Sequence, residues 1–201
     1  SYVCQNKVVL GAVSIDLVAV LLGGVMGLLP IYASDILAVG PDGLGLMRSM
    51  PGIGALFMGL ALAQIAHPRY VGITMFFTLA LFGGSIVIFS LSTVFWISLV
   101  ALAIYGASDM VSVYIRLTLV QLATPDEMRG RVSAVNSISI NASNELGDFR
   151  AGLMASGFGT VPAVFLGGIA TFAVVGIWMK IFPDLVKISS FDDVKNKITQ
   201  V

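Results

Sequence analysis

The chain has 201 residues, of which 57% are apolar and only 11% are charged, and its mean hydropathy is +0.97. Soluble domains carry about a quarter charged residues, so this composition excludes an ordinary water-soluble fold. The net charge is zero and no basic patch is interleaved with aromatic residues, which gives no indication of nucleic-acid binding.

Six apolar segments predict six transmembrane helices. Residues 70–108 and 151–179 contain no Asp, Glu, Lys or Arg, and roughly 20 apolar residues are enough to cross a bilayer. The uncharged run from residue 70 is too long for one crossing, so the polar cluster at 90–93 predicts a break. The predicted spans are 8–36, 43–65, 70–91, 94–121, 126–156 and 161–182; they form one domain over 1–182, and 183–201 is a cytoplasmic tail.

Turn and capping signals separate these spans. Pro41 to Gly43 and His67 to Arg69 predict turns, and Pro30 predicts a kink inside the first span. Thr124 followed by Glu127 three residues later predicts a capping box, with Thr124 as the cap of a new helix.

The distribution of basic residues predicts that both ends of the chain are cytoplasmic. With the N-terminus inside, the outer turns hold no Lys or Arg, in agreement with the positive-inside rule. The inner loops and tail then collect Lys7, Arg69, Arg129, Arg131, Lys180, Lys187, Lys195 and Lys197. Because the chain begins with Ser1 and has no signal peptide, we expect it to be a piece of a longer protein.

Ionisable residues inside the spans are the main candidates for function, since they are costly in a bilayer. Spans 1, 2, 4 and 5 carry them and spans 3 and 6 carry none, so a polar, polar, apolar pattern repeats once. This pattern predicts an all-α membrane fold of two three-helix repeats, as in one half of many secondary transporters. The residues are Asp16, Arg48, Asp109, Arg116, Glu145, Asp148 and Arg150.

Asp16 and Asp109 lie at similar depths, roughly 10 Å from the inner membrane boundary. Arg116 lies seven residues after Asp109 on the same helical face, as a counter-ion for it or as an interfacial anchor. For both carboxylates a proton or substrate role and a buried structural role remain open. Arg48 is interpreted as interfacial or salt-bridging, and Asp148 and Arg150 lie close to the outer boundary.

Small and polar residues line one face of span 5. This stripe either lines a water-filled path or packs against another helix through small residues and hydrogen bonds. Its members are Ala134, Ser137, Asn141, Glu145, Asp148, Gly152 and Ala155, with Asn144 beside them.

Enzymatic and metal chemistry have no support in the sequence. The single cysteine, Cys4, excludes an intrachain disulfide and a cysteine-rich metal site. No nucleophile elbow, Walker loop, dinucleotide fingerprint or HExxH motif occurs. We therefore predict no enzyme activity, no cofactor and no metal.

The run DMVSVYIRLTLVQLATPDEMRGRVSAVN, residues 109–136, resembles the C-terminal half of bacterial major facilitator superfamily exporters. The runs GAVSIDLVAVLLGG and NELGDF, at 11–24 and 144–149, resemble the branch of the enterobactin exporter and drug:proton antiporters. The resemblance implies spans seven to twelve of an inner-membrane transporter that works by alternating access. Its implied partners are an N-terminal six-helix half, protons and a small-molecule substrate.

Together, the charge pattern and the resemblance predict proton-coupled export of small amphipathic molecules, drug-like or siderophore-like. The alternatives are a non-transporting membrane scaffold or a half-transporter that works as a homodimer. Arg150 departs from the family pattern, which commonly has a glutamate two positions after Asp148. The candidates are Asp16, Asp109, Glu145 and Asp148 for proton coupling, Arg48, Arg116, Asn141 and Asn144 as counter-ions or along the substrate path, and Asp126, Arg129 and Arg131 in a cytoplasmic gating loop.

Overall fold

The computed structural model describes residues 7–64, 70–122, 124 and 126–186. These residues form helices and connecting turns, with no strand among them. The long helices are α1 (Lys7–Gly23), α2 (Gly40–Gln64), α3 (Val71–Leu91), α4 (Phe95–Leu122), α5 (Arg129–Phe158) and α6 (Thr160–Ile181), and a short helix at Pro183–Val186 follows. The predicted all-α fold is confirmed, and the arrangement as two three-helix repeats stays a prediction. The predicted turn at Pro41 to Gly43 is wrong, because these residues form the first turn of α2. The predicted turn at His67 lies outside the described residues.

Five helical regions among the described residues are long and apolar enough to cross a membrane: Leu10–Ile36, α2, α3, α4 and α6. Helix α5 is the exception, although its 30 residues make it the longest of the six. Its polar and acidic stripe lowers its hydropathy, so the predicted span 126–156 is a helix that is less apolar than the other five. An isolated helix of this composition is poorly suited to lipid on all sides.

The first predicted span is broken rather than continuous. Helix α1 ends at Gly23, and Gly24 and Val25 are not helical. The break coincides with α5, because a Cβ on Gly24 would lie 2.6 Å from the carbonyl carbon of Gly147. The predicted kink at Pro30 is therefore not where the helix is interrupted. The chain resumes as segment 26–36, which consists of a 3-10 turn at Met26–Leu28, an α turn at Leu29–Ile31 and a π turn at Tyr32–Ile36.

The junction before α5 corrects the predicted capping box. The Thr124 hydroxyl donates to the carbonyl oxygen of Val120 at 2.6 Å, within the end of α4. Helix α5 begins after a 3-10 turn at Asp126–Met128, and its N-cap residue, Met128, makes no side-chain cap. The new helix is where the sequence indicated, but Thr124 reaches back to the carbonyl four residues earlier, as threonine hydroxyls often do.

Two apolar clusters hold the bundle together at successive levels. In the first span, the residues before the break belong to the first cluster and those after it belong to the second. In α4 the order is reversed, because its N-terminal half contributes to the second cluster and its C-terminal half to the first. Between the clusters lie Gly24 of the first span and residues 106–110 of α4, which include Ser108 and Asp109, so the bundle has a polar level inside an apolar core. The first cluster includes Ala12, Ile15, Ala19, Met75, Ile115 and Leu119, and the second includes Val25, Leu29, Tyr32, Phe82, Phe89 and Leu102.

Glycines bring α2 and α4 into backbone contact. A Cβ on Gly54 would collide with the carbonyl oxygen of Ala103, and one on Gly106 would collide with that of Pro51. Without a hydrophobic driving force in lipid, such close approach is a main source of helix association. This contact anchors α2, whose other residues are mostly exposed.

We expect Gly54→Ala to destabilise the protein by about 1–3 kcal/mol, because the added methyl group would overpack against the α4 backbone. Gly52→Ala is the matched control on the same helix, since a Cβ at Gly52 would meet nothing within 4 Å. The control should be neutral or slightly stabilising, because alanine is the better helix former. Thermal unfolding in mild detergent measures both, and equal midpoints would contradict the packing of α2 on α4.

Candidate functional site

A buried ion pair joins α1 to α4. Asp16 is 1% exposed and Arg116 is 0% exposed. Arg116 Nη1 donates to Asp16 Oδ2, and Ser112 Oγ donates to Asp16 Oδ1 at 2.6 Å. The pair lies within the first apolar cluster, beside Ile15 and Ile115. Both oxygens of the carboxylate are therefore satisfied by α4 in surroundings that exclude water.

The sequence spacing on α4 explains this arrangement. Ser108, Ser112 and Arg116 are four residues apart, which puts them on one face of the helix. That face meets α1 at the level of Asp16. This repeated spacing is visible in the sequence, but the sequence-based prediction named only Arg116 as a candidate and neither of the two serines.

The ion pair has spare hydrogen-bonding capacity. Arg116 Nε and Nη2 and Ser108 Oγ are buried and have no hydrogen-bond partner among the described residues. Buried polar groups without partners are rare because each one costs its full desolvation penalty. The site can thus accept a further partner, such as a water molecule, a substrate group or a rearranged side chain.

Asp109 lies next to the pair but does not bond to Arg116. The two residues are seven positions apart, or about 10 Å along the helix axis, whereas Asp16 comes from the neighbouring helix at the level of Ser112. The expectation that Arg116 pairs with Asp109 is therefore corrected to a pair with Asp16. Asp109 is half-buried and lies within electrostatic range of both members of the pair.

Tyr105 lies on α4 in the neighbourhood of the acidic candidates. Its ring stacks on Phe82 with the centroids 4.5 Å apart. It lies within electrostatic range of Asp109 on its own helix, Asp148 on α5 and Asp16 on α1. The sequence analysis did not identify Tyr105, since an aromatic residue in an apolar helix carries no distinctive signal.

The polar stripe of α5 is mostly exposed, and only Asp148 and Ala155 are partly buried against the described helices. Ala134, Ser137, Asn141 and Glu145 are exposed, as is the neighbouring Asn144. The same helix contacts α1 through a different edge, at the buried residues Gly147 and Ala151. Both interpretations of the stripe stay open: its exposed part packs on no described helix, whereas Asp148 lies against segment 26–36, where a Cβ on Gly27 would be 3.1 Å from its Cβ.

Arg150 lies against the end of α1. Its Nε donates to the carbonyl oxygen of Leu21 at 3.0 Å, its Nη2 donates to that of Leu22, and its Nη1 lies 2.9 Å from the sulfur of Met154. The side chain is half-buried and reaches into the bundle. Arg150 therefore bonds to the backbone of a neighbouring helix, and its position close to the outer membrane boundary stays a prediction.

The remaining candidates lie apart from this cluster. Arg48 is exposed on α2, and Arg129 and Arg131 are exposed in the first turn of α5. Asp126 lies in the 3-10 turn before α5. Of the candidates, Asp16 and Arg116 thus bond to each other, and Asp109 lies within electrostatic range of both.

We expect Asp16→Asn and Arg116→Gln each to destabilise the protein by about 3–5 kcal/mol, because each leaves one buried charge without its counter-ion. The double variant should cost clearly less than the sum of the two, since the partners act as a unit. Asp42→Asn, at an exposed position in the first turn of α2, is the control and should change stability by less than about 0.5 kcal/mol. Unfolding in mild detergent gives the four values, and additive costs would contradict the pairing.

One family model matches nearly the whole sequence. It describes transmembrane secretion effectors of the major facilitator superfamily and matches residues 4–197. No curated protein and no solved structure matches the chain significantly. Because the matched region includes every helix of the bundle and the residues of the buried cluster, the chain belongs to the transmembrane secretion effector family of major facilitator superfamily transporters.

Proposed function

We propose that this chain is one half of a proton-coupled exporter of small amphipathic organic molecules in the bacterial inner membrane. Family membership supports membrane transport. The observation that carries proton coupling is the buried Asp16–Arg116 pair, because ionisable groups inside membrane helices commonly form proton relays.

Protonation of Asp16 would weaken the contact between α1 and α4. The protonated carboxyl group loses its Coulombic attraction to Arg116, and the arginine is left as an uncompensated buried charge. Arg116 Nε and Nη2 are then available for Asp109, which lies within electrostatic range. Exchange of Arg116 between two carboxylates would give the protein two arrangements whose balance depends on bound protons, as alternating access requires.

The exposed face of α5 supports the substrate class. Asn141 and Glu145 are exposed on the polar side, and Phe149 and Leu153 are 70% and 65% exposed nearby. A surface that combines polar and apolar groups suits molecules that have both. In a bilayer the acidic stripe must be shielded from the lipid chains. We therefore propose that a second set of six helices, an N-terminal half or a second copy of the chain, encloses it.

A membrane scaffold is the second candidate, favoured by the enclosure of a neutral ion pair within the first apolar cluster. A scaffold needs only the pair and not its protonation. It therefore predicts that reversing the pair, with Asp16→Arg and Arg116→Asp together, preserves assembly, and that no solute crosses the membrane.

We expect Asp109→Asn to abolish proton-driven transport while the protein remains folded and inserted, because the variant removes the second carboxylate for Arg116 without breaking the existing pair. Asp42→Asn is the control. The assay is uptake of a fluorescent amphiphile into inverted membrane vesicles, with and without a proton uncoupler. Normal uncoupler-sensitive uptake by Asp109→Asn would refute this role.

The same vesicles distinguish the proposed assemblies. Uncoupler-sensitive uptake that requires co-expression of a six-helix partner supports one half of a two-half exporter. Uptake by this chain alone supports a dimeric half-transporter. An absence of uptake in both preparations across a panel of amphiphiles favours the scaffold.

A further inference from the structure

The break after α1 leaves backbone carbonyl groups that a continuous helix would satisfy. The last carbonyls of a helix have no partner within it, and in a bilayer water is not available to replace the missing donors. At Gly24 and Val25 the chain is not helical, so Leu21 and Leu22 are among the residues whose carbonyls need other donors. A broken span can persist only if the protein supplies them.

Arg150 of α5 supplies these donors. Its Nε and Nη2 bond to the two carbonyl oxygens of Leu21 and Leu22 in a forked geometry. Space for the guanidinium depends on α6, since a Cβ on Gly167 would lie 2.6 Å from the Leu22 oxygen and 3.3 Å from Arg150 Nη2. A planar group with several donors and a permanent charge fits two adjacent carbonyls better than an ammonium group does.

The neighbouring residues of α5 complete the contact. A Cβ on Gly147 would lie 3.0 Å and 3.1 Å from the carbonyl oxygens of Val20 and Leu21, so the α5 backbone lies directly on the end of α1. Asp148 lies against the start of segment 26–36, where a Cβ on Gly27 would be 3.1 Å from its Cβ. Helix α5 thus places a cation at the negative end of α1 and an acid at the positive start of the next segment, in the sense that helix dipoles favour.

We propose that Arg150 is a positioning residue, a tethered cation that holds the first span open at Gly24. In other transporters the carbonyl ends of broken membrane helices coordinate a free cation. Here the guanidinium occupies that position and fixes the direction in which segment 26–36 leaves α1. Its effect on transport rests on the proposed function, whereas its effect on the break can be measured without transport.

The test is the labelling rate of a cysteine that replaces Met26, on a Cys4→Ser background, by a small maleimide in mild detergent. Arg150→Ala should speed labelling by roughly tenfold or more, because hydrogen bonds from a charged donor restrain local opening. Guanidinium chloride at low millimolar concentration should return the rate toward that of the parent protein, and sodium chloride at equal concentration should not. Arg150→Met should behave like Arg150→Ala, and Arg150→Lys should give an intermediate rate.

Two controls exclude a general loosening of the bundle. Lys180→Ala removes an exposed cation from the last turn of α6 and should leave labelling at position 26 unchanged. A cysteine in place of the exposed Thr93, between α3 and α4, should label at the same rate with and without Arg150.

Several results would overturn the proposal. Parent-like labelling in Arg150→Met would mean that the side chain only fills space, and an Arg150→Ala rate that guanidinium leaves unchanged would remove the cation role. If Arg150→Ala does not fold, equal labelling rates in Arg150→Met and Arg150→Lys would remove the cation role. If the parent protein shows no transport but labelling of Arg150→Ala still depends on guanidinium, the proposed function is refuted and the role of Arg150 is supported.

Discussion

Polar groups inside an apolar bundle must be satisfied by the protein itself, and the arrangement of this chain depends on that constraint. The carboxylate of Asp16 obtains both of its partners from α4, and the carbonyls at the end of α1 obtain theirs from α5. Each contact fixes a helix pair at one depth. Together with the Trp178 indole of α6, which donates to Ser14 Oγ at 3.0 Å, they are the polar contacts that α1 makes with its neighbouring helices, and the apolar clusters pack around them.

The positions of the apolar clusters give this constraint a functional consequence. The first cluster surrounds the ion pair, and the second lies beyond the break. The level between them holds Ser108, Asp109 and the non-helical Gly24. A change in the charge of Asp109 would therefore act between two packed clusters that keep the bundle folded.

Much of the fold was predictable from the sequence, because hydrophobic runs and turn residues specify membrane helices strongly. The predicted spans 70–91 and 94–121 agree with α3 and α4 to within one residue at each end. The break at Gly24 was not predictable, since it depends on the approach of Gly147 from a helix more than 100 residues later in the chain. The same holds for the partner of Arg116, because spacing within α4 indicates a face of that helix but not which residue of α1 meets it.

The two buried arginines show why local sequence signals differ in value. Arg116 follows Ser108 and Ser112 at a regular spacing, so its face could have been recognised as a polar stripe. Arg150 does not lie on the polar stripe of α5, and it departs from the pattern of the resembled family. Its sequence context therefore showed that the residue is unusual but not what it contacts. Its partners are backbone carbonyls, and carbonyl groups have no sequence signature at all. The sequence could therefore have indicated the polar face of Arg116 but not its partner, whereas for Arg150 it indicated neither.

The chemistry of the two contacts also implies different responses to protons. The contact of Arg116 is to a carboxylate, which can bind a proton and lose its charge, whereas the contact of Arg150 is to amide carbonyls, which do not titrate in the physiological range. Helix α1 is thus held near its middle by a bond that protons can release and at its end by one that they cannot. In the proposed cycle, protonation at Asp16 would free the body of α1 while Arg150 keeps its end in place, so that Gly24 becomes the natural pivot for movement of the first span.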